Sequence, residues 1–459
     1  MIAFRSTFDN RVSSLAVVLL GLTSSVPLYF HLPGGGVGAP IFYVQCIVIL
    51  ALLCLYSLQH RKVSLSSLDQ FVVLYLVWLM VSFIVNIPAM WITGRSDLVR
   101  HQLTSMLAWL FTVSPYLLGR CYFDIRRHGP TFIRSAAIGL AIVIAGYILF
   151  YSRNFTDLYL ARHTIGQRIP MMICFLAWAI CAQGFWHSRQ RVLLLLLWFG
   201  SMLIVLLSLT RAAYFQWFVS AALFAVISLF RNYKTRAKLI WRFGVVGIIG
   251  LACVVGIAVR SLSAPSLDSP ATQVIGRVGQ LFALREQVST DESANSRVEV
   301  WRRLFARLKE SPARMIFGFG QLAPSAYIGG TFIDLSGEIL NEYNAHSEYM
   351  DAWIRSGLVG LLLECAVLGI VTAKTFFVEA ESTYLVFFKT HSVALIGIII
   401  YGVFHETWRF QMFGLYFWLY AGIVSRELFS RETSLIARNF APHYVSGFGG
   451  LDGSRTAQG

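Results

Sequence analysis

Three residues carry the groups that transfer chemistry beside a membrane would need: His346, Arg211 and Arg297. At residues 344–360, NAHSEYMDAWIRSGLVG, a hydrophilic stretch gives way to an apolar helix. Counted at helical spacing, His346, Tyr349, Met350 and Trp353 fall at i, i+3, i+4 and i+7 and share one face. An imidazole titrating near neutrality can take a proton from an attacking hydroxyl. A lone histidine at a membrane boundary can equally be an interfacial group satisfied by a backbone carbonyl, and His346 taken by itself fits both descriptions. Arg211, in LSLTRAAYF, lies where only a few residues separate two apolar runs, so it is held close to the bilayer. A guanidinium there needs an anionic partner. That partner is either a lipid phosphate reached by snorkelling or a substrate phosphate matched to its forked donors. Arg297 opens an amphipathic stretch, where on composition alone it reads as a solvated or lipid-facing charge. Taken together, a cationic vestibule and one histidine suit a lipid-diphosphate substrate. The arginines would neutralise the pyrophosphate leaving group and the histidine would act on the acceptor hydroxyl.

Other chemistries find little in the chain. It holds no HExxH, GxSxG or P-loop pattern and no Cys/His cluster at metal-ligand spacing, so neither a metal nor a cofactor is expected. Acidic pairs occur at Asp291 with Glu292 and at Glu348 with Asp351, and a metal-carboxylate glycosyl transfer built on them stays as a minor alternative. Asp351 stands four residues before Arg355, which reads more simply as a helix ion pair. All seven cysteines fall in or beside apolar segments, so no disulfide framework is expected.

The elements that must position these residues are membrane helices. With 56% hydrophobic and 13% charged residues among 459, the chain has too little polar surface to cover a soluble globule. The formal charge of +15 would suit nucleic acid, but the basic residues sit mostly in short loops between apolar runs, where membrane topology accounts for them. The fold class expected is all-α, a polytopic helix bundle of about twelve transmembrane helices. The spans are expected near 13–31, 40–58, 69–90, 101–119, 131–150, 169–186, 192–209, 212–230, 243–260, 354–373, 391–405 and 411–425. Arg61, Lys62, Arg120, Arg126, Arg127, Arg189, Arg191 and the basic run 231–242 follow even-numbered spans, which puts both termini on the cytoplasmic side. The opposite loops carry Arg95, Arg100, Arg153, Arg162, Arg168, Arg211 and Arg409, where insertion does not favour them.

The expected organisation is nine spans over 1–260, a periplasmic loop over 261–350, three spans over 351–430 and a cytoplasmic tail over 431–459. Within the loop, NSRVEVWRRLFARLK places Val298, Trp301, Leu304, Phe305 and Leu308 on one stripe behind an Asn295–Ser296 cap. This predicts an amphipathic helix able to lie on the membrane boundary, ended by Pro312 and the FGFG run.

Three segments, LSLTRAAY at a span junction, SRVEVWRRLF followed by a proline and GFG, and AHSEYMDAWIRSGLVGLL entering the next span, resemble the bacterial O-antigen ligase and polymerase superfamily. The resemblance covers roughly residues 200–370. It implies a GT-C-like membrane glycosyltransferase that takes a glycan from undecaprenyl diphosphate on the periplasmic face of the inner membrane. The acceptor would be lipid A-core for a ligase or another lipid-linked repeat for a polymerase, with no nucleotide sugar and no metal. Carried over, His346 would be the base or would position the acceptor hydroxyl, and Arg211 and Arg297 would hold the diphosphate. Arg162, Arg168, Tyr349 and Arg409 are further candidates for substrate contact, while His163 and His405 read as structural. Ser347 stands where many members have asparagine, which puts a role for that amide in question. The ligase reading leads narrowly. A transporter or lipid-glycan flippase and a membrane scaffold remain as other classes, the former weakened by the scarcity of mid-span acids, of which Glu364 is the main one.

Overall fold

The structure, a computed structural model, describes residues 14–15, 17–22, 31–32, 35–36, 65–92, 103, 106–107, 109–153, 169–187, 191–208, 210–231, 292–320, 332–333, 339–340, 347–376, 383–405, 407 and 411–440. They are mostly helical. In chain order the elements are α1 (Ser67–Ile92), α2 (Pro115–Leu117) continued by a π-helical turn (Leu118–Tyr122), α3 (Ile125–Arg153), α4 (Ile169–His187), α5 (Arg191–Leu207) and α6 (Arg211–Arg231). There follow α7 (Glu292–Lys309), α8 (Pro312–Phe317), α9 (Glu348–Phe376), α10 (Thr383–Tyr401) and α11 (Gln411–Phe440). Two antiparallel pairs of two residues each, His31–Leu32 with Gly35–Gly36 and Phe332–Ile333 with Ile339–Leu340, are the extended backbone among the described residues.

Helix α4 is apolar all round and is buried all round, from Met171 to Cys181, which makes it a central strut rather than a surface helix. It packs along α10 and α5, and α6 packs along α10. Helix α11 is likewise buried from Phe413 to Ser425. By contrast α1 leaves Phe71, Val73, Leu74, Val77, Ile84 and Val85 exposed, an apolar face suited to acyl chains. Three stretches, Ser67–Pro88, Ile125–Leu149 and Glu348–Phe376, are long and apolar enough to cross a bilayer.

Helices α1 and α9 run antiparallel and are tied by polar contacts. Tyr75 donates to Glu364 Oε2 at 2.6 Å and Trp78 Nε1 to the Ser356 carbonyl at 2.8 Å. A buried carboxylate is tolerable in such a place because it has a hydroxyl partner.

Several expectations need correction. Helix α7 begins at Glu292, so Asn295 and Ser296 lie inside its first turns and do not cap it. Leu304 and Leu308 on its apolar stripe are buried against Phe319 and against Ile354 of α9, so that part of the stripe packs on protein. Pro312 does not simply end α7; it opens α8, capped by the Ser311 hydroxyl accepting from Ala313 N at 3.2 Å. The stretch expected as one span at 101–119 contains the break at Pro115 and the π-turn. Helix α10 starts eight residues before its predicted span, and α11 runs on to Phe440. The predicted spans at 40–58 and 243–260 lie outside the described residues.

Candidate functional site

The start of α9 is built by capping. The Ser347 carbonyl accepts from Asp351 N at 3.0 Å and its hydroxyl from Met350 N at 3.4 Å, so Ser347 is the N-cap. Serine and asparagine cap about equally well, which gives a physical reason for either residue at this position. Helical register therefore begins at Glu348. It relates Tyr349, Met350 and Trp353 to one another but does not extend to His346, which precedes the cap and lies outside the described residues.

Behind the cap the segment is fastened to the turn after α10. Glu348 N donates to the Gly402 carbonyl at 2.8 Å, and Glu348 Oε2 accepts from Thr407 N at 2.5 Å. Tyr349, expected as a substrate contact, sends its hydroxyl to the Ile399 carbonyl at 2.7 Å. Asp351 pairs with Arg355 at 3.0 Å, as the four-residue spacing predicts. Both acids are buried, Glu348 fully, so the pair read as external acidic residues is an internal fastening. Sequence reasoning missed Glu348 as a structural determinant. The available signal was its place directly after a capping residue, where a side chain is held at the helix entrance.

Arg211 is the first residue of α6. Thr210 precedes it, and its carbonyl accepts from Ala213 N at 3.0 Å and Tyr214 N at 3.2 Å. Ser208 and Thr210 hydrogen-bond each other, and the Tyr214 hydroxyl reaches back to Leu206. The turn is thus fixed from both sides. A cation at the positive end of a helix dipole is opposite to the favoured placement.

Helix packing puts Arg211 at the same end of the bundle as the α9 cap. Gly397 on α10 approaches Gln216 and Ser220 on α6 so closely that a Cβ there would meet Ser220 Oγ at 2.5 Å and Gln216 O at 3.1 Å. From that contact Arg211 and Gly402 lie in the same direction, each roughly 7–11 Å further on at about 1.5 Å per residue. Gln216 also donates to the Met171 carbonyl at 3.1 Å, which brings in the first turn of α4. Arg168 adjoins that turn in sequence and Arg409 lies between Thr407 and α11; both, with Arg162 and His163, lie outside the described residues. His405 is buried and stacked on Tyr401 at 4.9 Å, in keeping with a structural role.

Arg297 is on α7, seven residues before Leu304. Phe305 meets Trp353 edge-on at 5.2 Å, which docks α7 on the first half of α9. At the far end of α7, Glu310 is held below the usual carboxylate range by the Arg307 hydrogen bond and by Arg314, forming an exposed ion cluster. Among the described residues no group of three His, Cys, Asp or Glu side chains is placed to hold a metal ion.

The opposite end of the bundle carries a second buried polar group. Ser66 and Asp69 form a reciprocal cap at the start of α1. The Asp69 carboxylate also accepts from Tyr116, from Ser425 at 2.7 Å and from Arg120 Nε at 3.0 Å. This network joins α1, the π-turn and α11. Sequence reading gave Arg120 only a topological role, because nothing in the spacing links it to Asp69.

No curated protein matches the chain. Residues 192–365, which contain Arg211, Arg297, the whole of α7 and α8, His346 and the first half of α9, match the family model described as O-antigen ligase. That region runs from the helix before the Arg211 turn to the middle of the helix behind the Ser347 cap, and over it the chain is similar to the O-antigen ligase family.

Proposed function

We propose that this integral membrane protein is a glycosyltransferase of the O-antigen ligase type. It takes a glycan from undecaprenyl diphosphate and joins it to a hydroxyl of lipid A-core at the periplasmic face of the inner membrane. The observation that carries the reading is that, inside the family-matched region, Arg211 at a helix N-terminus lies at the same end of the bundle as the capped segment that begins one residue after His346 in sequence. In this reading His346 removes the proton of the acceptor hydroxyl as that oxygen attacks the anomeric carbon. The bond from that carbon to the diphosphate oxygen breaks, and the charge left on the diphosphate is held by Arg211 and Arg297. Arg162, Arg168 and Arg409 would add contacts to phosphate or sugar, and Tyr349 would shape the acceptor side. The remaining architecture follows the charge pattern: twelve spans, both termini cytoplasmic, and a periplasmic loop over 261–350.

The test uses purified protein and native undecaprenyl-diphosphate oligosaccharide, with and without lipid A-core, read by mass spectrometry. Transfer that requires lipid A-core and vanishes in His346→Ala is the expected result. Longer lipid-linked chains from donor alone would make the protein a polymerase of the same superfamily. Full transfer by a correctly inserted His346→Ala protein would remove the catalytic role.

A further inference from the structure

Helix α9 is two helices joined by a break at Gly357, whose φ of 71° and ψ of −177° lie outside helical geometry and are open essentially to glycine alone. The break exposes carbonyls that a continuous helix would satisfy internally, inside a segment with little water to replace them. Each of the three finds a donor from elsewhere. Ile354 O accepts from Phe319 N at 2.7 Å and Ser356 O from Trp78 Nε1 at 2.8 Å, while Arg355 O, 3.1 Å from the Ser82 hydroxyl, shares that hydroxyl's one hydrogen with the closer Phe317 O. The Ser82 hydroxyl also lies 2.6 Å from Phe317 O, and Trp78 stacks on Phe317 at 5.1 Å. Gly318, with φ of 70°, faces the break so closely that a Cβ would come within 2.5 Å of Ile354 O and 2.6 Å of Gly357 N. The half-helix 348–356 is therefore capped by Ser347 at one end and clamped at the other by α1 and the α8 turn.

The geometry points to Trp78 and Ser82, two residues of α1 remote in sequence from the matched region, as positioning residues for the transfer reaction. They set the height and rotation of the half-helix, and through the Ser347 cap the position from which His346 acts. This rests on the reading of His346 given above. Neither residue touches the reacting atoms, so each acts on rate through placement, where an error of about 1 Å can cost on the order of a hundredfold.

The experiment compares wild type with the Trp78→Phe/Ser82→Ala double variant, which keeps the stacked ring and the helix while removing both side-chain donors. Val77→Ala, on the exposed face of the same helix, is the control. Two quantities are read: donor KM and kcat, and amide hydrogen exchange of peptides covering 347–356 without substrate. The double variant should lose roughly ten- to a hundredfold in kcat with donor KM within about twofold, and exchange in 347–356 should quicken about tenfold or more. Ser82→Thr in a Trp78 background should restore both, because both side-chain donors are present again. Unchanged exchange would overturn the clamp, and quickened exchange with wild-type kcat, or a KM effect alone, would overturn the positioning role. Exchange is read without turnover, so it separates a failed clamp from a failed reading of His346. Should His346→Ala retain transfer, the positioning role falls with it whatever the exchange shows.

Discussion

Glu348 offers the sharpest perturbation of the candidate site, because its side chain makes a defined hydrogen bond in a buried place. Its Oε2 accepts the Thr407 backbone N–H at 2.5 Å, and both residues have no exposed surface. Glu348→Ala removes the acceptor and leaves a buried N–H to find another partner, which costs roughly 1–3 kcal/mol. Glu348→Gln keeps an oxygen in the same place and differs from the alanine variant in leaving the Thr407 N–H an acceptor, so it should cost less than alanine, roughly 1 kcal/mol. If the full cost of the alanine variant appears as displacement of the turn after α10, the fastened arrangement becomes about 5- to 150-fold less populated relative to the displaced one. That turn leads within two residues to Arg409, so donor use should weaken before acceptor use does. The assay is donor titration at saturating acceptor, alongside thermal unfolding in the same detergent. The expected order is wild type, then Gln, then Ala, in both unfolding temperature and donor kcat/KM. Equal damage from Gln and Ala would mean that the carboxylate is not serving as a simple acceptor, and a wild-type alanine variant would mean that the Thr407 contact does not hold the turn.

Two other predictions follow from the capping and ion-pair geometry. Ser347→Asn should retain transfer and stability, whereas Ser347→Ala should cost about 0.5–2 kcal/mol of helix-start stability, measured as a lower unfolding temperature and faster exchange at 348–351. Asp69→Asn removes the carboxylate beside Arg120, a pair whose side chains are 5% and 8% exposed, and should cost roughly 3–5 kcal/mol. The Asp69→Asn/Arg120→Met double variant should recover much of that, and a double-mutant cycle on unfolding temperature with no coupling would refute the link between the two.

How much was legible in the sequence depended on what hydropathy can see. Helices α1, α4, α5 and α6 end within two residues of their predicted apolar runs, because in them the apolar stretch and the helix coincide. Helix α10 was mis-set because Lys389 and His391 interrupt its apolar run. In the fold His391 is buried, with Nδ1 2.7 Å from the Phe387 carbonyl and Nε2 2.6 Å from the Tyr416 hydroxyl, so the helix carries a polar ring inside at no loss of hydrogen bonds. Of the site, the family segments and the Asp351–Arg355 pair could be read from spacing within one element. The Glu348–Thr407, Ser82–Arg355 and Asp69–Arg120 contacts could not, since each joins residues on elements that only tertiary packing brings together.

The spacing between Ser347 and Gly357 then acquires a physical meaning. A cap at one end and a glycine break at the other delimit nine helical residues, a rigid segment of about 13 Å at 1.5 Å per residue. Neither boundary can drift: Ser347 is held by hydrogen bonds to Met350 and Asp351, and a side chain at Gly357 would collide with the Ile316 carbonyl. Inserting one residue would turn the cap by about 100° relative to the clamp and move it about 1.5 Å, and both Glu348 contacts to the α10 turn would be lost together. The interval between Ser347 and Gly357 thus sets the distance from the clamp formed with α1 to the helix start beside which the chemistry is proposed.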